Sequence, residues 1–463
     1  MKAKHQVSIM LVAVVLALSG TAQAKNVILF LGDGMGISTV TAARIFAGQQ
    51  QGLDGEEYNL SFDKFSHTAL IKTYNTDAQV PDSAGTISAI LTGEKTRMGV
   101  LGVNAEVARG DCAATLQHSL PTIAELAEDA GLSTGVVATA RVTHATPAGT
   151  YAHVPDRDWE ADVKLPATAV EQGCQDIATQ LVIFSHGDGV DVILGGGRAQ
   201  FMLQSQADPE YPSKSGLRQD QDLITTWLQA SNQRTYVWNS TQLAEFVPAG
   251  GQQLLGLFQP SHLQFEADRA QDPAGEPSLV QMTELAIKQL SLNPKGYFLL
   301  VEAGRIDHAH HFGNAYRALV DTVALSDAVA AAQAMTDPEE TLIIVTADHS
   351  HTLTISGYPP RGNPILGKVT SNPVFADAKD APYTTLGYAN GPGYQTPYPD
   401  LNKVDTEAND YRQIAAVPLA IETHAGEDVA AFAEGKGANR VRGVMEQNKL
   451  FDVMRAVLLP AEE

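Results

Sequence analysis

The sequence predicts an α/β protein built on a large, mostly parallel central sheet with helices on both faces. Short apolar runs have the composition of buried strands, and they are continuous rather than alternating, as in strands covered on both faces. Segments with one apolar face lie between them, and such strand–helix alternation favours parallel strands. The predicted strands are KNVILFLG, TGVVATA, VDVILGGG, GYFLLVEAG and TLIIVTADHS.

Amphipathic patterns predict the connecting helices TIAELAEDAG, SLVQMTELAIKQLSL and AYRALVDTVALSDAVAAAQAM. The stretch VPDSAGTIS predicts the start of another helix, because Pro81 and Asp82 suit a turn and Ser83 is a good N-cap. A serine at a helix N-terminus can also be a nucleophile, since the N–H groups there favour an anion such as phosphate. Taken alone, this stretch favours a helix-capping role for Ser83 over a catalytic one.

The amino-terminal residues have the pattern of a cleavable secretory signal over residues 1–24. MKAKHQ is basic, and the apolar run from Val7 to Leu18 is shorter than the roughly 20 residues that span a membrane. We expect cleavage after Ala24 and an exported, periplasmic or extracellular protein without a membrane anchor. In such an oxidising compartment, a single cysteine pair favours a disulfide over two buried free thiols.

Residues 25–463 are predicted to form one domain with two insertions. Residues 203–275 are more polar than the rest, and residues 356–413 are rich in Pro, Gly, Asn and Tyr, which predicts an irregular excursion from the sheet.

The protein is strongly acidic, with a formal charge of −22 that becomes −24 when Lys2 and Lys4 leave with the signal. This charge argues against a nucleic-acid or anionic-membrane partner. A dense carboxylate surface suggests a halophilic protein, because salt screens its self-repulsion. We therefore expect activity and melting temperature to respond to molar salt, and a protein indifferent to salt would contradict this hypothesis.

Carboxylates and histidines follow three of the predicted strands. Ligands bind beyond the carboxyl ends of parallel strands, so these side chains are expected at one edge of the sheet. Each alone could belong to an ordinary turn or a solvated helix start, but buried together they are best explained by metal ions, and zinc accepts mixed Asp/His ligation. They are Asp33; Glu302, Asp307, His308, His310 and His311; and Asp348, His349 and His351.

A further segment, RVTHATPAGTYAHVPDRDWEAD, follows the second strand. Its Thr146 offers a neutral oxygen that suits magnesium. Its Arg157 has the planar fork that holds phosphate oxygens, although such an arginine is more often a surface salt-bridge partner.

In order and spacing, these motifs together resemble the alkaline phosphatase family, particularly its animal-like and marine bacterial branches. The similarity runs from about Asn26 to Phe451 and implies an alkaline phosphatase-like catalytic domain, a crown-like insertion at 356–413 and a homodimer. The matching motifs are VPDSAGT, NVILFLGDGMG, THATPAGTYAHV, VEAGRIDHAHH, VTADHSHT and ETHAGEDVAAFA.

The resemblance implies two zinc ions and one magnesium ion, with Ser83 as nucleophile and Arg157 on the phosphoryl oxygens. One zinc would take Asp307, His311 and His424; the second would take Asp33, Asp348 and His349; magnesium would take Asp33, Thr146 and Glu302. The residues His144, Trp159, His308 and His351 would line the site. Cys112 and Cys174 match a disulfide of the animal branch. A calcium ion would use Glu210, the Phe265 carbonyl, Glu266 and Glu276, although Glu276 stands where Asp is usual.

The implied function is hydrolysis of a broad range of phosphate monoesters to inorganic phosphate through a phosphoserine on Ser83. The chain departs from the family at Ile87 and Ser88 and at GKG, residues 435–437. Ile87 lies one helical turn beyond Ser83, so we expect its bulk to face the core.

The sequence leaves two other classes of protein as alternatives. A phosphodiesterase or sulfatase could use the same scaffold, but Ser83 lacks the Cys/Ser-x-Pro-x-Arg context of sulfatases, and phosphodiesterases usually carry Thr and lack the Glu302 and Thr146 pair. An exported, non-catalytic protein that binds metal or phosphate would leave Ser83 without a role.

Overall fold

A ten-stranded sheet forms the centre of the computed structural model, which describes residues 26–369 and 381–459. The predicted signal peptide and its cleavage site lie outside the described residues. The strands are β1 (Asn26–Gly32), β2 (His67–Lys72), β3 (Ser133–Arg141), β4 (Val192–Gly196), β5 (Arg234–Val237), β6 (Gln253–Leu257), β7 (Tyr297–Ala303), β8 (Thr341–Ala347), β9 (Ser350–His351), β10 (Leu353–Ile355), β11 (Lys368–Val369), β12 (Tyr383–Thr384), β13 (Leu386–Gly391), β14 (Ala415–Pro418), β15 (His424–Ala425), β16 (Val429–Gly435) and β17 (Gly443–Glu446).

The α-helices of the described residues are α1 (Ile37–Gln50), α2 (Ser83–Thr92), α3 (Cys112–His118), α4 (Ile123–Asp129), α5 (Ala145–Ala148), α6 (Ala167–Glu171), α7 (Ile177–Val182), α8 (Leu223–Ala230), α9 (Ser240–Glu245), α10 (Leu279–Leu290), α11 (Arg305–His311), α12 (Ala315–Met335) and α13 (Lys449–Leu458). Short 3₁₀ helices cover Ser61–Lys64, Asp162–Lys164, Arg198–Gln200, Arg269–Gln271, Leu401–Lys403 and Ala438–Arg440. The five predicted strands and three predicted helices are confirmed, as β1, β3, β4, β7 and β8 and as α4, α10 and α12.

The predicted mostly parallel sheet is also confirmed. Its order is β17-β2-β16-β8-β1-β7-β3-β4-β6-β5, and the seven strands from β8 to β5 run parallel. Only β16 is antiparallel to its neighbours, β8 and β2. The continuous apolar runs are explained by burial, because every residue of β7 and β8 is buried.

Two groups of helices cover the sheet. Helices α1, α10 and α11 pack with α12, while α2 and α4 pack with α13, and both groups contact β1 or β3. Because the strands between them are buried along their length, the two groups lie on opposite faces. Helix α12 is the one described helix that is long and apolar enough to span a membrane by length and composition, and half of that apolar window is buried inside the protein.

The two predicted insertions differ in structure. Part of residues 203–275 belongs to the main sheet, because the apolar run QLLGL forms β6, which pairs with β4 and carries β5 at the edge. Residues 356–413 leave the main sheet, and their described part forms short strands, of which β13 pairs with β10 and β14 outside it.

A disulfide joins Cys112 and Cys174 across 62 residues and packs with Trp159 and Ala169. A cross-link over a loop of this length stabilises mainly by restricting the unfolded chain. We expect replacement of both cysteines by serine to lower the free energy of unfolding by about 2 to 4 kcal/mol. Calorimetry of the two proteins checks this, and an unchanged melting temperature would contradict it.

Candidate active site

The predicted site residues meet at the carboxyl ends of four neighbouring strands. Asp33 follows β1, Glu302 lies near the end of β7, Asp348 follows β8, and the loop after β3 leads to α5, which contains Thr146. The strand order β8-β1-β7-β3 makes these ends adjacent, as expected for ligand sites of parallel sheets.

The first group capable of holding a metal ion consists of Asp307, His311, His351 and His424. Helix α11 places Asp307 and His311 one turn apart, with His311 Nε2 3.3 Å from Asp307 Oδ1. The Nε2 atoms of His351 and His424 lie 2.8 and 3.4 Å from the same oxygen. His351, predicted to line the site, therefore stands within the group itself.

Acceptors behind these rings set their orientation. His311 Nδ1 donates to the Glu422 carbonyl at 2.6 Å, and His424 Nδ1 donates to the Pro81 carbonyl at 2.8 Å. A carbonyl only accepts, so in each neutral ring the free lone pair is on Nε2, which faces Asp307. Glu422 also accepts from His351 Nδ1 at 2.6 Å through its buried carboxylate. This role of Glu422 was not predicted from the sequence, although the residue lies in the motif ETHAGED.

The second group consists of Asp33, Asp348 and His349, all fully buried. His349 Nε2 is 3.4 Å from Asp33 Oδ1, 3.2 Å from Asp348 Oδ2 and 3.2 Å from the Ser83 hydroxyl. The Gly34 N–H donates to Asp348 Oδ1 at 3.0 Å. Gly34 has a φ of +66°, and a Cβ there would collide with the His351 ring, so the tight turn needs glycine.

The third group consists of Asp33, Glu302 and His144, with Thr146 beside it on α5. Both carboxylate oxygens of Asp33 and of Glu302, Thr146 Oγ1 and His144 Nδ1 are buried and have no hydrogen-bond partner among the residues that the structure describes. Unpaired buried carboxylates are costly, and a hard cation would satisfy this set of oxygens. The residues therefore fit the predicted magnesium ion, and Asp33 is shared by two groups, as the resemblance implies.

The carboxylates of the site perturb one another. Burial and the neighbouring Asp348 raise the pKa of Glu302 to about 8, and burial together with Asp348, Asp307 and Glu302 raises the pKa of Asp33 well above its ordinary value. Asp307 is the exception: burial would raise its pKa, but His311 and His351 lower it well below the usual range. Without cations, Asp33 and Glu302 would therefore hold protons where metal ions would otherwise bind.

The predicted helix start is confirmed, but the N-cap is Asp82 and not Ser83, which is the first residue of α2. The Asp82 carboxylate takes the capping role because it accepts from the helix, which leaves the Ser83 hydroxyl free of it. Asp82 Oδ1 accepts from the Gly85 N–H at 3.1 Å, and Asp82 Oδ2 accepts from Arg157 Nη1 at 3.1 Å. Arg157 Nη2 lies 3.2 Å from His144 Nε2. One carboxylate thus binds both the first turn of the helix that carries Ser83 and the guanidinium of Arg157.

The departures from the family pattern lie on the core side of α2. Ile87 is fully buried and packs so closely on Gly149 that a Cβ there would lie 2.8 Å from its Cγ2. Ser88 is buried as well, donating to the Ala84 carbonyl at 2.8 Å and accepting from the Gly102 N–H at 3.0 Å. The expectation for Ile87 is confirmed, and neither residue displaces a member of the three groups.

Two other predicted lining residues take different positions. The His308 ring packs 5.5 Å from the His144 ring, next to the third group. Trp159 packs instead with Cys112 and Ala169 in a small apolar cluster beside the disulfide. His262, whose ring lies 4.1 Å from that of His308, was not predicted from the sequence, because no motif marks it.

The residues predicted for calcium have other partners. Arg269 makes two hydrogen bonds to the Glu266 carboxylate, at 2.7 and 2.9 Å, and Arg198 donates to Glu210 at 3.0 Å. Glu276 accepts from the Gln264 N–H at 2.9 Å. Two of the three carboxylates are thus neutralised by arginine, and calcium at this position stays a prediction.

A parallel sheet whose edge gathers three adjoining metal-capable groups, one of them beside a buried serine, is the arrangement of a metal-dependent hydrolase. Comparison with known proteins identifies the family to which the chain belongs. Residues 24–459 match the family model described as alkaline phosphatase, so the chain belongs to the alkaline phosphatase family, whose enzymes are phosphoric monoester hydrolases.

Curated relatives agree with this assignment. The chain is 48% identical over 440 residues to the tissue-nonspecific isozyme of alkaline phosphatase of Felis catus, covering 93% of this chain and 83% of the relative. It is 47% identical over 441 residues to the isozyme of Homo sapiens, with the same shares. It is 46% identical over 435 residues to alkaline phosphatase of Gadus morhua, covering 92% of this chain and 90% of the relative.

Solved structures agree in fold. Alkaline phosphatase of the Antarctic bacterium TAB5 superposes with a TM-score of 0.65 at 23% identity, over 95% of this chain and all of that one. The Thermus thermophilus enzyme gives a TM-score of 0.67 at 24% identity, over 96% of this chain and 93% of that one.

Proposed function

We propose that this chain is an exported phosphatase that hydrolyses a broad range of phosphate monoesters through a phosphoserine on Ser83, at a site for two zinc ions and one magnesium ion. The observation that carries the proposal is the position of the Ser83 hydroxyl, 3.2 Å from His349 Nε2 at the start of α2 and beside the second metal-capable group. The first and second groups would hold zinc, and the third, with Thr146, would hold magnesium.

In the first step, the Ser83 oxygen forms a bond to phosphorus and the ester oxygen leaves as the alcohol. In the second step, water attacks the phosphoserine, releasing inorganic phosphate and restoring the Ser83 hydroxyl. The metal ions, when bound, supply Lewis acidity that makes a hydroxyl or water nucleophilic and stabilises the leaving oxygen. The N–H groups at the start of α2 favour the phosphoryl group, and the Arg157 fork holds its oxygens.

Burial, together with the neighbouring His424, lowers the pKa of His349 well below its ordinary value, so the His349 ring stays neutral. Neutral Nε2 can act as a metal ligand beside Ser83, while the carbonyl partners keep the first-group rings in the matching tautomer. These contacts involve the phosphate group and the metal ions, so the alcohol part of the substrate contributes little to binding. The enzyme therefore hydrolyses a broad range of phosphate monoesters.

The test of the proposed function is metal reconstitution with three substrate classes. The chelated protein should lose activity, and zinc plus magnesium should restore hydrolysis of p-nitrophenyl phosphate far above that of the matching diester and sulfate. Restoration by calcium alone, or a preferred diester or sulfate, would contradict the proposal.

Arg157→Ala is expected to lower kcat/KM by about 10²- to 10³-fold and to weaken inhibition by inorganic phosphate, because the guanidinium is the charged fork at the phosphoryl position. Arg109→Ala is the matched control: Arg109 pairs with Asp156 and Asp158 on the same loop, at 2.9 and 2.7 Å. Equal losses in both variants would assign the effect to the loop rather than to Arg157.

We also infer a homodimer. The support is a row of exposed apolar side chains at and after β14, where Val417, Leu419 and Ile421 are 51%, 42% and 54% exposed. Light scattering of the purified protein tests it, and a monomer at micromolar concentration would contradict it.

A further inference from the structure

A buried histidine outside the three metal-capable groups is held by two hydroxyl groups. His310 is fully buried on α11, between Asp307 and His311 of the first group. Its Nδ1 lies 2.8 Å from the Tyr388 hydroxyl, and its Nε2 lies 3.0 Å from the Thr39 hydroxyl. Because a hydroxyl can donate or accept, both ring nitrogens are satisfied in either neutral tautomer. His310 therefore fixes the turn of α11 that carries two members of the first group.

The His310 ring also packs on a third member of that group. Its centroid lies 4.8 Å from that of the His351 ring, and the two ring planes are inclined by 30°. Both side chains are buried, as is Tyr388 behind them. Since buried side chains are close-packed, a change in the position of His310 would also move His351.

Tyr388 belongs to β13, in the small sheet formed by the 356–413 insertion outside the main sheet. Residues two apart on a strand lie on the same face, and two residues after Tyr388 comes Asn390. Asn390 Oδ1 accepts from the Thr423 N–H at 3.0 Å, and its Nδ2 donates to the Thr423 hydroxyl at 2.9 Å. Thr423 directly precedes His424, the remaining histidine of the first group. One strand of the insertion therefore contacts the supports of the first group at two points.

Gly391, at the end of β13, provides a third contact with these supports. It has a φ of +131°, and a Cβ there would lie 2.9 Å from Glu422 Cβ, so this close approach needs glycine. Glu422 is the residue that accepts from His311 and His351. Among the described residues, no hydrogen bond joins β13 to a member of the second or third group. The contacts of β13 thus concern the first group.

We propose that Tyr388 and Asn390 are positioning residues for the first metal ion: from the insertion, they hold its histidine ligands and determine how tightly zinc binds there, without affecting the other two ions. The inference rests on the proposed function in taking the first group as a zinc site. Removing a partner behind a metal-bound histidine weakens metal binding by about 10- to 100-fold. Because Tyr388 acts through His310 and Asn390 acts through Thr423, we expect the lower end of this range, about tenfold, for each.

The experiment measures zinc affinity without substrate. The protein loaded with zinc and magnesium is equilibrated with buffers of graded free zinc, and its metal content is determined. Tyr388→Phe removes only the hydroxyl and should need about tenfold more free zinc than wild type to fill the first site, as should Asn390→Ala. Asn390→Asp still accepts from the Thr423 N–H and should recover part of the affinity. Cadmium-113 NMR of the cadmium-substituted protein identifies the weakened site, because the first group contains three histidines and the second contains one.

Thr384→Val is the matched control. It removes a buried hydroxyl of the same insertion, which donates to the Leu386 carbonyl at 2.6 Å, and it should keep the zinc affinity of wild type. Equal affinities in wild type, Tyr388→Phe and Asn390→Ala would overturn the proposal. An equal loss in Thr384→Val, or loss of magnesium together with zinc, would also overturn it, because the effect would then belong to the insertion as a whole.

Two further outcomes separate this proposal from the proposed function. If Tyr388→Phe does not fold, Asn390→Ala decides, since its contact with Thr423 lies at the surface. A wild type that holds no zinc in the first group would contradict both proposals. Because the measurement uses no substrate, a failure of Ser83 as nucleophile would leave the difference between wild type and Tyr388→Phe unchanged.

Discussion

Ser83→Ala is expected to lower kcat for phosphate monoesters by at least about 10³-fold while leaving the metal content of the protein unchanged. Ser83 is the one side chain of α2 whose hydroxyl approaches His349, and no member of the three metal-capable groups is altered by its loss. The residual rate would come from water attacking a substrate that is still bound and polarised. Steady-state kinetics together with metal analysis of the same preparation measures both quantities.

Ser88→Ala is the control for this variant, because Ser88 is a buried serine on the same helix whose hydroxyl bonds Ala84 and Gly102 instead. We expect it to lose some stability and to keep activity within a few-fold of wild type. Near wild-type turnover in Ser83→Ala would remove Ser83 as nucleophile. A large loss in both variants would point to distortion of α2.

Asp33→Asn is expected to remove two of the three metal ions and to lower kcat by at least about 10³-fold, because Asp33 belongs to both the second and the third group. Glu302→Gln is the matched comparison: Glu302 belongs to the third group alone, so only one ion should be lost. Metal analysis after dialysis distinguishes the two variants. The same single loss in both would show that Asp33 does not bridge the groups.

Asp33→Asn should have the opposite effect on the metal-free protein. Burial, with the charges of Asp348, Asp307 and Glu302, raises the pKa of Asp33, so ionised Asp33 is disfavoured in the folded state. The stability that protonated Asp33 contributes to the folded state is fully present below the pKa of an unfolded aspartate. It is lost as the pH rises through the raised pKa of Asp33 in the folded state. In chelator, the variant should therefore melt above wild type, and the difference should grow with pH.

The fold and the metal groups could be predicted because local signals and topology agree. Five continuous apolar runs indicated the parallel strands, and the residues just after parallel strands lie at one edge of the sheet, which brought Asp33, Glu302 and Asp348 together. Asp307 and His311 needed only the period of a helix. The helix start near Ser83 was visible in its turn residues, although the prediction placed the cap one residue late, on Ser83 instead of Asp82.

The remaining parts of the site depend on pairings too short to leave a pattern. His351 joins the first group because β9 pairs with β15, which sets His351 opposite His424, and each of these strands has only two residues. Glu422 accepts from histidines 71 and 111 residues away, and His262 reaches His308 from a loop after β6. Such contacts are set by the tertiary fold, and neither composition nor spacing predicts them.

The most direct test of the proposed mechanism is to identify the residue that carries the phosphoryl group during turnover. Wild type loaded with zinc and magnesium, quenched in acid during hydrolysis of a phosphate monoester and digested, should yield one phosphorylated peptide, with the phosphoryl group on Ser83. Ser83→Ala treated in the same way should yield none. A phosphoryl group on another residue, or turnover without any phosphorylated peptide, would contradict the central claim that Ser83 is the nucleophile of this site.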